Sequence, residues 1–208
     1  MSALQRLENG LLPNRCAFCG TDRPPATRAI CGRCYAELPW TNSTRMPSML
    51  PMYTPLIYSY PVDVAIKAMK FRRKLHYVAA FASILLETMR ALPADIDALL
   101  PVPLHWRRQA LRGFNQAEEL CRPLQRHTGV PIIHNVRRHR ATPSQSGLGA
   151  EQRQRNLRRA FHVRGNIEAR HVVLVDDVIT TGATCAQLAE LLLDAGVEKV
   201  SVVAIARA

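Results

Sequence analysis

The chain has 208 residues, 48% of them hydrophobic, and its 28 basic and 16 acidic side chains give a formal charge of +12. That length suits one mid-sized domain with a small appendage and a packed core. No run approaches the ~20 uninterrupted apolar residues of a membrane helix. Residues 1–15 lack the apolar segment of a secretory signal, so no membrane span and a cytoplasmic location are expected.

Residues 1–40 read as a separate small unit. Cys16, Cys19, Cys31 and Cys34 form C-x2-C-x11-C-x2-C, and two such knuckles supply four thiolates to one tetrahedral Zn2+ in a reducing compartment. Gly20 and Gly32 suit the tight turns that knuckles need. The segment has almost no core of its own, so zinc would supply its folding energy in a structural or docking role. Redox dithiols, or cysteines that bind nothing, are the rival readings. Residues 41–54 carry Pro and Ser and read as a linker.

Residues 55–208 follow an α/β pattern. PLIYSY (55–60) suits a short strand, Asp63 a cap for a helix through AIKAMKFRRK, and residues 76–91 a second helix. IDALLPVP (96–103) reads as a buried strand ended by prolines, residues 115–128 as a helix capped by Gly129, and VPIIH (130–134) as a further strand. Residues 137–160 are polar and Arg-rich with little apolar periodicity, and a mobile loop is expected there. HVVLVD is the continuous apolar run of a parallel strand buried on both faces. Residues 184–194 place Cys185, Leu188, Ala189, Leu191 and Leu192 on one helical stripe. Gly196 stops that helix and VSVVAIA returns as a strand, which makes a right-handed crossover unit. Cys121 and Cys185 fall on apolar helix faces as core residues. The histidines are scattered, and no Ser–His–Asp or Cys–His nucleophile set is evident.

The most informative stretch is Val172–Thr184, VVLVDDVITTGAT. In open α/β sheets ligands sit beyond the carboxyl ends of the strands, where Asp176 and Asp177 emerge. Thr180, Thr181, Gly182, Ala183 and Thr184 then open a helix, whose free N–H groups and partial positive charge attract phosphate. Two adjacent carboxylates would repel a phosphate and suit diol hydroxyls or the waters of a Mg2+ ion instead. A ligand with a 5′-phosphate beside a ribose diol satisfies both halves. The plainer alternative is a strand–loop–helix turn whose Asp and Thr only cap the helix.

This motif resembles the phosphoribosyl diphosphate motif of the type I phosphoribosyltransferases. Over nearly its whole length the chain is similar to the ComF family (competence protein F, GntX-like). The resemblance rests on the cysteine pairs, PVPLHWRRQALRGFNQ (101–116), Thr142 and Gln145, Arg153 and Asn156, Ala160 and Phe161, and the terminal motif. It implies a type I phosphoribosyltransferase-like parallel sheet flanked by helices, with a hood and a flexible loop. It also implies ribose hydroxyls on Asp176 and Asp177, a 5′-phosphate on Thr180 to Thr184, and Pro101–Pro103 beside the pyrophosphate. Thr180 stands where purine-salvage relatives resemble one another in an aspartate base, which argues against a 6-oxopurine substrate. The Met-Ser start and the length argue against a glutamine amidotransferase.

A transferase of this kind moves a pentosyl group by displacing pyrophosphate, so preorganised cations and Mg2+ would carry the chemistry. The basic excess is almost wholly arginine, with 14 arginines against four glutamates in residues 101–170. Arg107, Arg108 and Arg112 follow the strand ending at Pro103 and are candidates for the leaving group, with Arg153 and Gln145 entering on the 137–160 loop. Solvated surface arginines, and Asn115 as a simple N-cap, are the plainer alternatives. Three functions remain open: a Mg2+-dependent phosphoribosyltransferase of unknown acceptor, a non-catalytic phosphoribosyl diphosphate sensor, and a nucleic-acid-handling protein meeting single-stranded DNA or DNA-uptake proteins.

Overall fold

The structure, a computed structural model, describes residues 15–22, 29–43, 45–46, 50–104, 110–138 and 160–208. In chain order the elements are α1 (Gly32–Ala36), β1 (Arg45–Met46), β2 (Met52–Tyr53), β3 (Leu56–Ile57), α2 (Val62–Arg72), α3 (His76–Met89) and β4 (Ala98–Pro101). They continue with α4 (Gln116–Thr128), β5 (Val136–Arg138), β6 (Phe161–Val163), β7 (His171–Ile179), α5 (Ala183–Asp194) and β8 (Lys199–Arg207).

β7 and β8, rich in β-branched residues, pair in parallel at the centre of a sheet ordered β1-β2-β8-β7-β4, and β3 also pairs with β8. All these pairings are parallel except β1 with β2. The central strands are apolar on both faces because helices cover both. Val173, Val175, Val203 and Ile205 meet α2, α3 and α4 through Ile66, Met69, Phe81, Leu85, Leu120 and Leu124. Val172, Leu174, Val202 and Ala204 meet α5 through Leu188 and Leu192. Cys121 and Cys185 are buried core residues, as their helix positions imply.

Several boundaries move for local reasons. The strand expected over 55–60 shrinks to Leu56–Ile57, and a separate short strand, Met52–Tyr53, precedes Pro55, which has no N–H to give a ladder. Pro61, not Asp63, holds the N-cap position of α2, and Asp63 lies in the first turn, accepting from Lys67 Nζ at 2.8 Å. VPIIH makes only a single bridge, Ile132 to Leu99. The Arg-rich segment starts and ends in an antiparallel ribbon, β5 with β6, and residues 139–159 lie outside the described residues. β7 runs past HVVLVD because Asp176, Val178 and Ile179 stay in register with Ala204, Ala206 and Arg207.

The cysteine segment packs on α3. Phe18 meets Tyr77 and Phe81 edge-on at 5.5 and 6.1 Å, and Tyr35 Oη donates to Glu87 at 2.6 Å. Among the described residues no helix is long and apolar enough to cross a membrane.

Candidate functional site at the carboxyl end of the sheet

The site begins where β7 gives way to α5. Gly182 takes φ +72° at the N-cap, a left-handed conformation that glycine adopts without cost. It is also buried, and a Cβ there would meet Met52 Cε at 2.9 Å. No side chain caps α5. The first helical bond runs from Ala186 N to Gly182 O. Among the described residues the amides of Thr181, Gly182, Thr184 and Cys185 donate to no protein group, and Ala183 N reaches only Thr181 Oγ1 at 3.4 Å. Thr180, Thr181 and Ala183 are exposed, so this row of donors faces an approachable surface. A phosphate is the natural occupant of such a helix start.

The two acids behave differently, because successive strand residues point to opposite faces. Asp176 lies on the α5 side; burial, with a contribution from the Asp176 charge, pushes the Cys185 thiol up. Burial and the adjacent Asp177 charge push the Asp176 carboxyl well above the usual carboxylate range, although the Asp177 amide donates to its Oδ1 at 2.8 Å. Asp177 faces α2. It is 7% exposed, accepts from Val178 N at 2.9 Å, and its Oδ2 lies 2.5 Å from Lys70 Nζ. A free divalent ion asks for ionised, uncommitted carboxylate oxygens. One acid here is neutralised by an ammonium and the other is held toward its protonated form, so the pair is not a ready seat for free Mg2+.

The neighbouring strand brings the Pro101–Pro103 segment alongside. Val102 N donates to Val175 O at 2.9 Å, and Asn115 Nδ2 donates to Val102 O at 3.1 Å while its Oδ1 caps Ala117 N at 3.1 Å. Asn115 is thus both a helix cap and a tether for this segment. A cavity of about 470 Å3 opens beside it, lined by Pro101, Pro103, Phe114, Arg122, His134 and Arg138 among others. Arg112 turns the other way: its Nη1 donates to Gln116 Oε1 at 3.2 Å, and its guanidinium lies 5.1 Å from the Phe71 ring centre. There it shares a groove with Lys70. Arg107, Arg108, Thr142, Gln145, Arg153 and Asn156 lie outside the described residues.

Sequence reasoning missed Lys70. The available signal was a charged residue one turn after Ile66, at the edge of the buried stripe of α2 formed by Val62, Ala65, Ile66 and Met69. It also missed an Asp–His–Ser chain at the amino end of the central strands, because the partners are far apart in sequence. His171 Nδ1 lies 3.1 Å from Asp95 Oδ1, and its Nε2 lies 3.0 Å from Ser201 Oγ. Ser201 is buried, so the chain joins strands and offers no nucleophile to a substrate.

Cys16, Cys19, Cys31 and Cys34 come together as their spacing implies, all four sulfurs within 4.8 Å of one another. Cys19 and Cys31 Sγ are 3.8 Å apart, and a thiolate tetrahedron with Zn–S bonds of about 2.3 Å has an edge of about 3.8 Å. Cys31 N and Cys34 N donate to Cys16 Sγ and Cys31 Sγ at 3.3 and 3.4 Å. A hydrogen bond with Thr21 brings the Cys19 thiol down to about 6. Burial, then the neighbouring thiols, pushes the Cys34 thiol up, a cost that a bound cation would offset.

Residues 110–208 match the phosphoribosyl transferase domain, which sets the class of the sheet and its terminal turn. DNA utilization protein YhgH of Escherichia coli (strain K12) is 38% identical over 199 residues, covering 90% of this chain and 81% of that protein. Competence protein F of Haemophilus influenzae is 35% identical over 196 residues, covering 86% and 84%. This chain therefore belongs to the ComF family, within the type I phosphoribosyltransferase superfamily. Among solved structures, orotate phosphoribosyltransferase from Aeropyrum pernix overlaps 64% of this chain at 19% identity with a TM-score of 0.40, and the chain spans 62% of it.

Proposed function

We propose that this protein binds phosphoribosyl diphosphate, or a ligand with the same 5-phosphoribosyl group, between the α5 amides and the Asp176–Asp177 pair. One observation carries the reading: among the described residues a row of unpaired amides follows two acids near the end of β7, across a glycine whose φ and close packing a side chain would strain. The amides would take the 5′-phosphate and the acids the sugar hydroxyls. Bound Mg2+ would neutralise the diphosphate leaving group, arriving on the phosphate oxygens because the acids do not offer a seat of their own. Arg107, Arg108 and Arg153 are the proposed cations around that leaving group, with Gln145 beside them; Arg112, drawn toward Phe71, is placed instead to steady the α2 side. The activity that fits is transfer of the pentosyl group to an acceptor still to be identified, in the cytoplasm, with zinc holding the cysteine module. The names of the relatives connect this reading to competence and DNA use.

The test is a melting experiment. Phosphoribosyl diphosphate with Mg2+ should raise Tm by mass action, by about 2.7 kcal/mol of stabilisation at a hundred times Kd. Asp177→Asn and Gly182→Ala should each lose most of that shift. No shift in the wild type at millimolar ligand would end the proposal. Pyrophosphate release with a panel of bases and amines then separates a transferase from a sensor.

A nucleic-acid reading has its own support. Phe71 is 70% exposed with Arg112 against its ring, an arrangement that suits base stacking beside a cationic groove. It requires single-strand binding whose logarithm falls steeply with log salt.

A further inference from the structure

α2 carries two lysines on neighbouring faces, and they sit differently. Lys67 is well exposed and pairs with Asp63 one turn earlier. Lys70 is mostly covered, its side chain 20% exposed, and its ammonium is set against the buried carboxylate of Asp177. The helix cannot readily withdraw it, because Val62, Ala65, Ile66 and Met69 fix α2 in the core. Putting an ammonium in so covered a place costs desolvation that only a fixed opposite charge offsets. Arg112 lines the same groove and bonds to Gln116 beside Phe71; among the described residues the cation paired with Asp177 is Lys70.

That contact matters because of what the acids would do without it. Two successive aspartates at the open end of a strand form an oxygen-ligand set of the type that collects hard divalent ions. A metal seated there would put positive charge and tightly held water where a sugar diol has to fit. We infer that Lys70 is a built-in countercation that closes the Asp176–Asp177 pair to free divalent metal, so that a metal ion enters this site only when already bound to a polyphosphate ligand. The inference rests on reading the acids as the sugar-gripping part of the site. It deepens that reading by setting the order in which metal and ligand arrive. Lys70 acts here as a positioning residue: it holds the Asp177 carboxylate turned toward α2 and needs no contact with the reacting atoms.

The experiment is a Mn2+ titration of the full chain without other ligand, read by the electron paramagnetic resonance signal of the free ion. Wild type and Lys70→Arg should bind Mn2+ weakly and alike. Lys70→Met should bind it at least about tenfold more tightly, since a unit of positive charge has left a partly buried carboxylate. Lys70→Gln keeps a donor for Asp177 and should show the same gain, which covers the case in which the Met variant does not fold. In Lys70→Met/Asp177→Asn the gain should vanish. Unchanged Mn2+ affinity in the folded Met or Gln variant would overturn the inference. Two readings stay separable because wild-type melting with phosphoribosyl diphosphate and Mg2+ is measured alongside. A missing melting shift removes the ligand assignment even where the Mn2+ gain appears, and a normal shift with unchanged Mn2+ binding removes only the role of Lys70.

Discussion

At the scale of single residues, Gly182 and Asp176 show how function and stability pull apart. Alanine at 182 would be strained by its positive φ and would have to displace the end of Met52. Gly182→Ala should therefore destabilise the fold by about 2 kcal/mol, seen as a lower denaturation midpoint with an unchanged slope. Asp176 has the opposite sign. Burial and the Asp177 charge raise its carboxyl above the usual range, so the fold favours the protonated form. That contribution is complete below the unfolded value of about 3.9 and fades as pH climbs toward the raised value. Asp176→Asn keeps an acceptor for the Asp177 amide and carries no charge. It should raise Tm at neutral pH, flatten the fall in stability over that interval, and abolish the ligand-dependent shift.

The central elements were legible from the chain because local chemistry and burial agree there. The apolar run of β7, the stripe of α5 and the Asn115 and Gly129 caps of α4 each follow from neighbours in sequence. What was not legible depended on distant partners. Nothing in IDALLPVP says that Val102 will bond to Val175, nothing in AIKAMKFRRK that Lys70 will meet Asp177, and nothing around His171 that Asp95 and Ser201 flank it. The cysteine module combines both kinds of signal: its spacing was readable, its docking on α3 was not. Metal and docking should act together. Trp40 donates to Tyr35 O at 2.9 Å and lies 4.7 Å from the Tyr35 ring, while Tyr35 itself is bonded to Glu87. Chelation in a Trp106→Phe background, which leaves Trp40 as the single tryptophan, should shift its emission to the red at temperatures where far-ultraviolet circular dichroism of the sheet domain persists. Unchanged emission after verified metal loss would mean that the segment holds its shape without the ion.

For the molecule as a whole, β7 is a partition shared by two helical layers. One acid addresses the α5 side and the next addresses α2. A ligand held by both therefore has a grip on each half of the core, although most of its donors come from one. Amide exchange should slow on binding both in the first turn of α5 and around Lys70 of α2. Slowing confined to α5 would leave Asp177 out of the recognition.

The opposing outlook of these neighbouring acids has a further consequence for how the protein can change over time. A substitution on α2 can retune the sugar end of the pocket without touching the phosphate end, whereas a substitution on α5 meets the phosphate-facing amides and Asp176 together. Sugar preference can thus drift on the α2 side of the sheet while the phosphate grip at the start of α5 stays as it is.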